Sequence, residues 1–411
     1  MNLLFWHPGF YHVGDYFRCI QFAKYLANRG HKVTCLLGRR KLSQWFGRET
    51  IDSVEFVYAP HWAELHVAES FIDAQPETKM PLDILCRTVW TLVNARHYDI
   101  VHSFHVGLSS LLPLVTAGVF SRTVCVQDWC DLWCDGILQP PEQSMFARAS
   151  YYLSCRVEDA LMRRCAAITV NSRYLERKAL KDYGHDPRYV LRVVEGADSD
   201  LITPQDKSAC RQRLKLRPDL LWLGFSAFFN PDAELLLGTM QHILRKRPGC
   251  YGLLWIGPTD RRIQEAIIRA GLNRVVEQVG IVPRGSIGTY LGACDLLLLP
   301  FSRQRVNYAR WPAKLCDYLA AGRPIVGNAT GEVEDFFQRN PQIGVLTEGQ
   351  PALFADAIIR LTENNEELQR CGRAARAVAE GQISWSAATN ELEAFYRKLC
   401  GRSVDPMTAP S

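Results

Sequence analysis

Short apolar and β-branched runs alternate with helical patterns along nearly the whole chain, and no other feature narrows the possible folds as much. Strands separated by helices pair side by side in parallel, so the pattern specifies sheets built from βαβ units. A first series of runs falls at 2–6, 32–37, 54–58, 100–104, 123–127, 167–170 and 190–194. Between the first two, Phe17, Ile20, Phe22, Ala23 and Leu26 recur at helical spacing, and Gly30 supplies the cap. The polar segment 197–208, with Pro204, reads as a linker. A second series follows at 220–225, 252–256, 275–279, 296–299, 324–326 and 344–346. The 411 residues thus predict an α/β chain of two doubly wound Rossmann-like domains, 1–200 and 201–383. An amphipathic helix over 384–400 (Ala388, Leu392, Phe395, Leu399) and a disordered tail, 401–411, complete the expectation.

Composition excludes several classes. With 47% hydrophobic and 22% charged residues the chain is neither disordered nor fibrous. The excess of 48 Lys and Arg over 43 Asp and Glu is too mild to point to nucleic acid. The most apolar stretch, 106–120, falls short of the roughly 18 to 20 residues that a membrane span needs. The chain begins without a basic, cleavable leader, so its 14 cysteines read as reduced thiols in a cytoplasmic protein. Cys125, Cys130 and Cys134 fit no common cluster spacing.

The segment richest in chemistry is Leu296-Leu297-Leu298-Leu299-Pro300, a polar loop, and then Pro312-Ala313-Lys314-Leu315-Cys316-Asp317 up to Gly322 and Pro324. A buried strand delivers the chain at its carboxyl end into a loop, where open α/β sheets bind their ligands. Pro312 at the first helical position starts a helix whose free first-turn amides attract anions. Lys314 adds a point charge and Arg310 a bidentate donor, while Asp317, a turn later, suits ribose hydroxyls. This is the layout of a nucleotide-diphosphate site. The other reading of Lys314 and Asp317 is a surface i, i+3 pair on a core helix.

These pieces, in their order, resemble a glycosyltransferase of the GT-B fold, family 4. The resemblance rests on the opening strand with Gly9 and Gly14, Ala27-Asn28-Arg29-Gly30-His31-Lys32-Val33, and Tyr98-Asp99-Ile100-Val101-His102. It continues through Ala167 to Leu175, Glu195-Gly196-Ala197-Asp198, Gly280-Ile281-Val282-Pro283, Ala293 to Pro300 and Pro312 to Pro324. It implies two domains facing across a cleft, with the terminal helix crossing back to the first. It also implies transfer of a sugar, with retention of configuration, from a nucleotide sugar on the second domain to an acceptor hydroxyl on the first. No cofactor or metal is required. The implied donor site takes in Gly280, Val282, Asn307, Tyr308, Ala309, Arg310, Pro312, Lys314 and Asp317. Two family features are absent: Ala309 stands where a glutamate is usual, and the stretch Gly224 to Asn230 has no basic residue. Asn307, for sugar hydroxyls, and Arg310, for the diphosphate, are the candidates to fill those roles.

In the first domain Gly9 and Gly14 flank the turn after the opening strand, with His7, His12, Asp15 and Arg18 nearby; Gly9, Gly14, Asp15, Arg18 and, further on, His102 are the candidates to line the acceptor site or the cleft. His102 and His105 fall at the end of the fourth strand, and alternation favours His105 for a sugar or acceptor contact. Asp128 and Asp131, set among Trp129 and Trp133, suit a sugar site, either carboxylate serving as base for an acceptor hydroxyl. Catalytic candidates are therefore His105, Asp128, Asp131, Arg310 and Lys314. Arg39, Arg40 and Lys41 with Trp45 and Phe46 form a basic, aromatic patch suited to anionic lipid, as a lipid-linked acceptor would require. The alternatives are a GT-B sugar-nucleotide epimerase or an inactive sugar-nucleotide-binding protein. A dinucleotide oxidoreductase is argued against, because no G-x-G-x-x-G follows a strand.

Overall fold

The computed structural model describes residues 1–8, 14–39, 46–60, 81–121, 123–134, 136–137, 145–228 and 231–401. Gly9, His12, Arg40, Lys41 and Trp45 lie outside these residues, as does the tail from 402. Two units divide the chain. Described residues up to Val194 form the first, rejoined by those from Trp385, and Glu195–Ser384 forms the second.

The first unit carries β1 (Asn2–His7), β2 (Lys32–Arg39), β3 (Arg48–Ile51), β4 (Val54–Pro60), β5 (Ile100–Ser103), β6 (Val124–Trp129), β7 (Ala167–Val170) and β8 (Val190–Arg192). Their order in the sheet is β3-β4-β2-β1-β5-β6-β7-β8. Neighbouring strands pair in parallel except β3, which runs antiparallel to β4. β3 is an addition to the expected set. Its residues Arg48, Glu49, Thr50 and Ile51 are all exposed, and a charged edge strand leaves no apolar alternation to read. On one face of this sheet Leu3, Phe5, Val33 and Ile100 pack against Phe22 and Leu26 of the helix Gly14–Ala27. The helix Trp385–Cys400 joins the same core through Trp385, Leu392, Phe395, Tyr396 and Leu399. Gly30 ends the first helix in the left-handed region, at φ 85°, where a side chain would be strained.

The second unit carries β9 (Leu221–Ser226), β10 (Tyr251–Ile256), β11 (Val276–Gly280), β12 (Leu296–Leu299), β13 (Ile325–Asn328) and β14 (Gly344–Thr347). They form a parallel sheet in the order β11-β10-β9-β12-β13-β14. Its core gathers Leu223, Phe225, Leu253, Trp255, Leu296 and Leu298 with Leu236, Met240, Phe354 and Ile358 from the helices. The segment 197–208 is no free linker. Ile202 is fully buried, and Arg376 donates to the carbonyls of Ser199 and Ile202. Asp206 then caps the helix Lys207–Leu214 by accepting from the Ala209 amide.

The expectation of reduced thiols is corrected at one pair. The loop after β6 and the helix Met145–Met162 bring Cys134 and Cys155 to a Cα separation of 5.9 Å, and the two form a disulfide. Among the described residues no helix is long and apolar enough to cross a membrane.

Candidate functional site

In the second unit, β12 is buried over its whole length between β9 and β13, and it delivers the chain into the helix Arg305–Ala309 and then the helix Ala313–Ala320. Pro312 is the residue before that second helix rather than its first member, and no side chain caps the helix start. First-turn amides have no intrahelical partner, so this end is electropositive. Lys314 occupies the first turn, half-buried, with its Nζ 4.4 Å from the centre of the Phe225 ring at the end of β9. Among the described residues it makes no ion pair. Burial, reinforced by the charge of Arg310 and opposed by Asp232, brings its ammonium down to about 7.

Arg310 stands beside it, its guanidinium over the Phe301 ring at 4.9 Å and donating to Asn307 Oδ1 at 2.7 Å. Asp232 Oδ2 lies 3.7 Å from the same nitrogen. Asn307 is fully buried, and its amide NH2 donates to Asp232 Oδ1 and to the Ser302 carbonyl, each at 2.9 Å. This corrects the expectation that Asn307 hydrogen-bonds sugar hydroxyls, because its donors and its acceptor are already engaged. What Asn307 does is orient Arg310. Ala309 is fully buried, while Tyr308 is exposed. Asp317 is half-buried and holds Arg284 in a two-pronged ion pair at 2.6 and 2.7 Å. A ribose would share that carboxylate with the arginine, which occupies about half of its four lone-pair sites. Gly280 closes β11 at φ 77°, and Val282, half-buried, follows it two residues before Arg284. Gly224 lies within β9, and a Cβ there would come within 2.6 Å of Cys294 Sγ.

In the first unit the ends of β1 and β5 bring three side chains together. Asp15, in the first turn of the helix Gly14–Ala27, accepts from His105 Nδ1 at 2.8 Å, and its other oxygen lies 3.3 Å from His7 Nε2. Burial pushes the Asp15 carboxyl up, but His7 and His105 together outweigh it and hold it well below the usual range. It is therefore a carboxylate, and it fixes the proton of His105 on Nδ1. Gln127 braces the His105 backbone by donating to its carbonyl at 2.9 Å, and the Trp133 ring packs 5.1 Å from the imidazole. Asp131 is half-buried on the loop after β6. Gly14 is exposed, and a Cβ there would meet nothing within 4 Å, so the fold itself does not demand glycine.

Arg18, His102 and Asp128 are core residues, which corrects their expected roles. β6 runs on to Trp129, so Asp128 sits in register with Thr169 of β7 rather than on a loop. Its two oxygens accept from Arg18 Nε and Nη2, both at 3.0 Å, and Thr169 and Cys130 donate to it as well. Arg18 also donates to the Val193 carbonyl at 2.9 Å, and both side chains are buried. His102 uses one ring nitrogen on Tyr396 and the other on Thr169, and burial lowers its pKa to about 3. Neither the Asp128 carboxylate nor the His102 ring reaches solvent where an acceptor could meet it.

Sequence reasoning overlooked Asp232, Arg284 and Phe225 as partners in the site. Asp232 has the sequence position of a helix N-cap, directly before the helix Ala233–Lys246, yet its side chain makes no cap and turns to Asn307 and Ser302 instead.

Two doubly wound units, parallel apart from the edge strand β3, with basic side chains where the second sheet's central strand meets a helix start, have the architecture of the GT-B class. Residues 18–194 match the family described as "Glycosyl transferase 4-like domain", and residues 217–364 match "Glycosyl transferases group 1". The chain belongs to the family 4 glycosyltransferases. It is 26% identical over 252 residues to a D-inositol 3-phosphate glycosyltransferase of Geodermatophilus obscurus, a match that covers 58% of this chain and 54% of that one. The matched stretch thus spans about half the length of that curated relative. Among solved structures, sucrose-phosphate synthase from Thermosynechococcus elongatus superposes with a TM-score of 0.75 at 17% identity, over 98% of this chain and 99% of that one. Anabaena Alr3699/HepE, solved with UDP and glucose, superposes with a TM-score of 0.71, also at 17% identity, over 96% of this chain and 98% of that one. At such identities these structures speak for the fold.

Proposed function

We propose that the chain transfers a sugar from a nucleotide-diphosphate sugar to an acceptor hydroxyl in glycan or glycoconjugate biosynthesis, with retention of configuration. The observation that carries this reading is Lys314, half-buried and without an ion pair among the described residues, at a helix start beside an arginine braced by Asn307 and Asp232. Departure of a nucleoside diphosphate leaves new negative charge on its terminal phosphate. Lys314, Arg310 and the first-turn amides then attract that charge more strongly than they attract the intact donor. Asp317 accepts from ribose hydroxyls, and Gly280 and Val282 flank the base. The acceptor belongs to the first unit, near the half-buried Asp131, since His105 is 2% exposed and engaged by Asp15; the acceptor's proton passes to the departing phosphate. No enzymic nucleophile takes part, and the donor needs no metal. The curated relative named as acting on an inositol phosphate and the neighbour solved with UDP support a nucleotide-sugar donor and a hydroxylated acceptor.

The test is incubation with a panel of labelled nucleotide sugars. Release of nucleoside diphosphate, by transfer or slow hydrolysis, is expected with at least one donor. Formation of an epimeric nucleotide sugar, or binding of donor without turnover, would contradict the reading. With the active donor, Asn307→Ala should lower kcat/KM by up to about 100-fold, because a loosened Arg310 is misplaced by around an ångström. Steady-state kinetics would show it, and unchanged kcat/KM would remove Asn307 from the site.

A further inference from the structure

One turn beyond Lys314, Asp317 anchors a small charge cluster within the second unit. Arg284 opens the short turn Arg284–Ser286 after β11, and its guanidinium donates from Nη1 to Asp317 Oδ2 at 2.6 Å and from Nη2 to Asp317 Oδ1 at 2.7 Å. Asp198 is the third member. Burial pushes its carboxyl up, Arg284 draws it down and Asp317 pushes it up again, so the arginine's charge is felt by two carboxylates.

The place of the Arg284–Asp317 pair says what it meets. Asp317 lies on the helix Ala313–Ala320 whose start carries Lys314, and Arg284 lies four residues beyond Gly280, where β11 ends. In the transferase reading the helix start takes the diphosphate, and Gly280 and Val282 flank the base. The part of a nucleotide that joins base to diphosphate is the ribose, and the pair bridges the same two walls. It is not sealed in the core, since the Arg284 side chain is 32% exposed and that of Asp317 19%. Ion pairs this accessible add little stability; what the two-pronged geometry supplies is orientation.

In such a pair each Nη keeps a further N–H and each carboxylate oxygen keeps a lone pair. Its edge therefore shows a donor beside an acceptor, 2.6 to 2.7 Å apart. A cis-diol has the matching pattern, because one hydroxyl donates to the carboxylate while its neighbour accepts from the guanidinium. A lysine would supply a point charge without that edge.

We infer that Arg284 sets the specificity for ribose: it aims Asp317 and itself donates to one hydroxyl of the cis-diol, while Asp317 accepts from the other. The assignment rests on the transferase reading for the presence of a nucleotide and adds a residue that the reading does not use. Calorimetric titration of the full chain with uridine, guanosine and adenosine diphosphates, and with their 2′-deoxy and 3′-deoxy counterparts, tests it. For a base that binds, both deoxy forms should bind the parent about 10- to 100-fold more weakly than the ribonucleotide. Arg284→Met should bind the ribonucleotide about tenfold or more weakly than the parent and the deoxy forms nearly as well as the parent does, so the preference for ribose collapses. Arg284→Lys, which keeps a positive charge between Asp198 and Asp317 and should melt with the parent, should lose the preference too. Asp198→Asn alters the charge of the cluster without touching the diol edge and should keep it. The assignment is overturned if either deoxy form binds the parent as tightly as its ribonucleotide, if both Arg284 variants keep the parent's preference, or if Asp198→Asn abolishes it equally. Any of these results leaves the nucleotide seat standing, whereas a parent that binds none of the three diphosphates overturns the transferase reading and this assignment together.

Discussion

Asp128→Ala should destabilise the first unit by about 3 to 5 kcal/mol, because it strands the buried Arg18 guanidinium without its counter-charge. That is a large part of the roughly 5 to 15 kcal/mol that holds a domain folded, so the variant should lose its cooperative transition or melt far below the parent. Removing both charges is a different experiment. Arg18→Met with Asp128→Leu replaces the ion pair by apolar groups of similar size and should regain most of the lost stability. The double variant also separates two roles for Asp128. If the carboxylate only holds Arg18, transferase activity returns with the fold; if it took the acceptor's proton, the refolded double variant would stay inactive. Calorimetric melting beside an activity assay reads both.

Lys314→Ala carries the second large effect. Loss of one preorganised cation from the departing phosphate should cut kcat by about 10²- to 10³-fold, with nucleoside-diphosphate affinity falling by about 1.5 to 3 kcal/mol. The fold should not suffer. Lys314 sits in a place that disfavours its charge, with its pKa brought down to about 7. Its folded pKa lies below the unfolded value, so the unliganded protein gains stability from this group as pH rises from about 7 toward the unfolded pKa. Below about 7 the full cost of the buried charge remains. An anionic ligand reverses that preference by stabilising the protonated form.

The β-strands were legible because buried parallel strands are short, apolar and bounded by turns; β7 and β12 fall on the expected residues. The placement of Lys314 and Arg310 beside a helix start was legible for a similar reason, since strand, loop and helix start follow one another within a short stretch of sequence. What escaped was set by distant partners. Arg18 and Asp128 lie 110 positions apart, and whether such residues face each other or a ligand depends on sheet register. The end of β6 was placed two residues early, at 127 rather than Trp129, and that put Asp128 on a loop instead of inside the sheet. Asn307 and Asp232, 75 positions apart, are likewise joined only by the fold. His7, Asp15 and His105 meet because β1 pairs with β5, a neighbour far along the chain.

The most direct measurement is the pH dependence of nucleoside-diphosphate binding. Titration of the full chain with uridine, guanosine and adenosine diphosphates from pH 6 to 9, beside Lys314→Met, isolates the titrating seat. At least one nucleotide should bind the parent with an affinity that falls above pH ~7 by up to tenfold per unit, while the Met variant binds more weakly and with no such decline. Parallel pH curves of equal affinity for the two proteins would contradict the account, because the phosphate would then be held somewhere other than at Lys314.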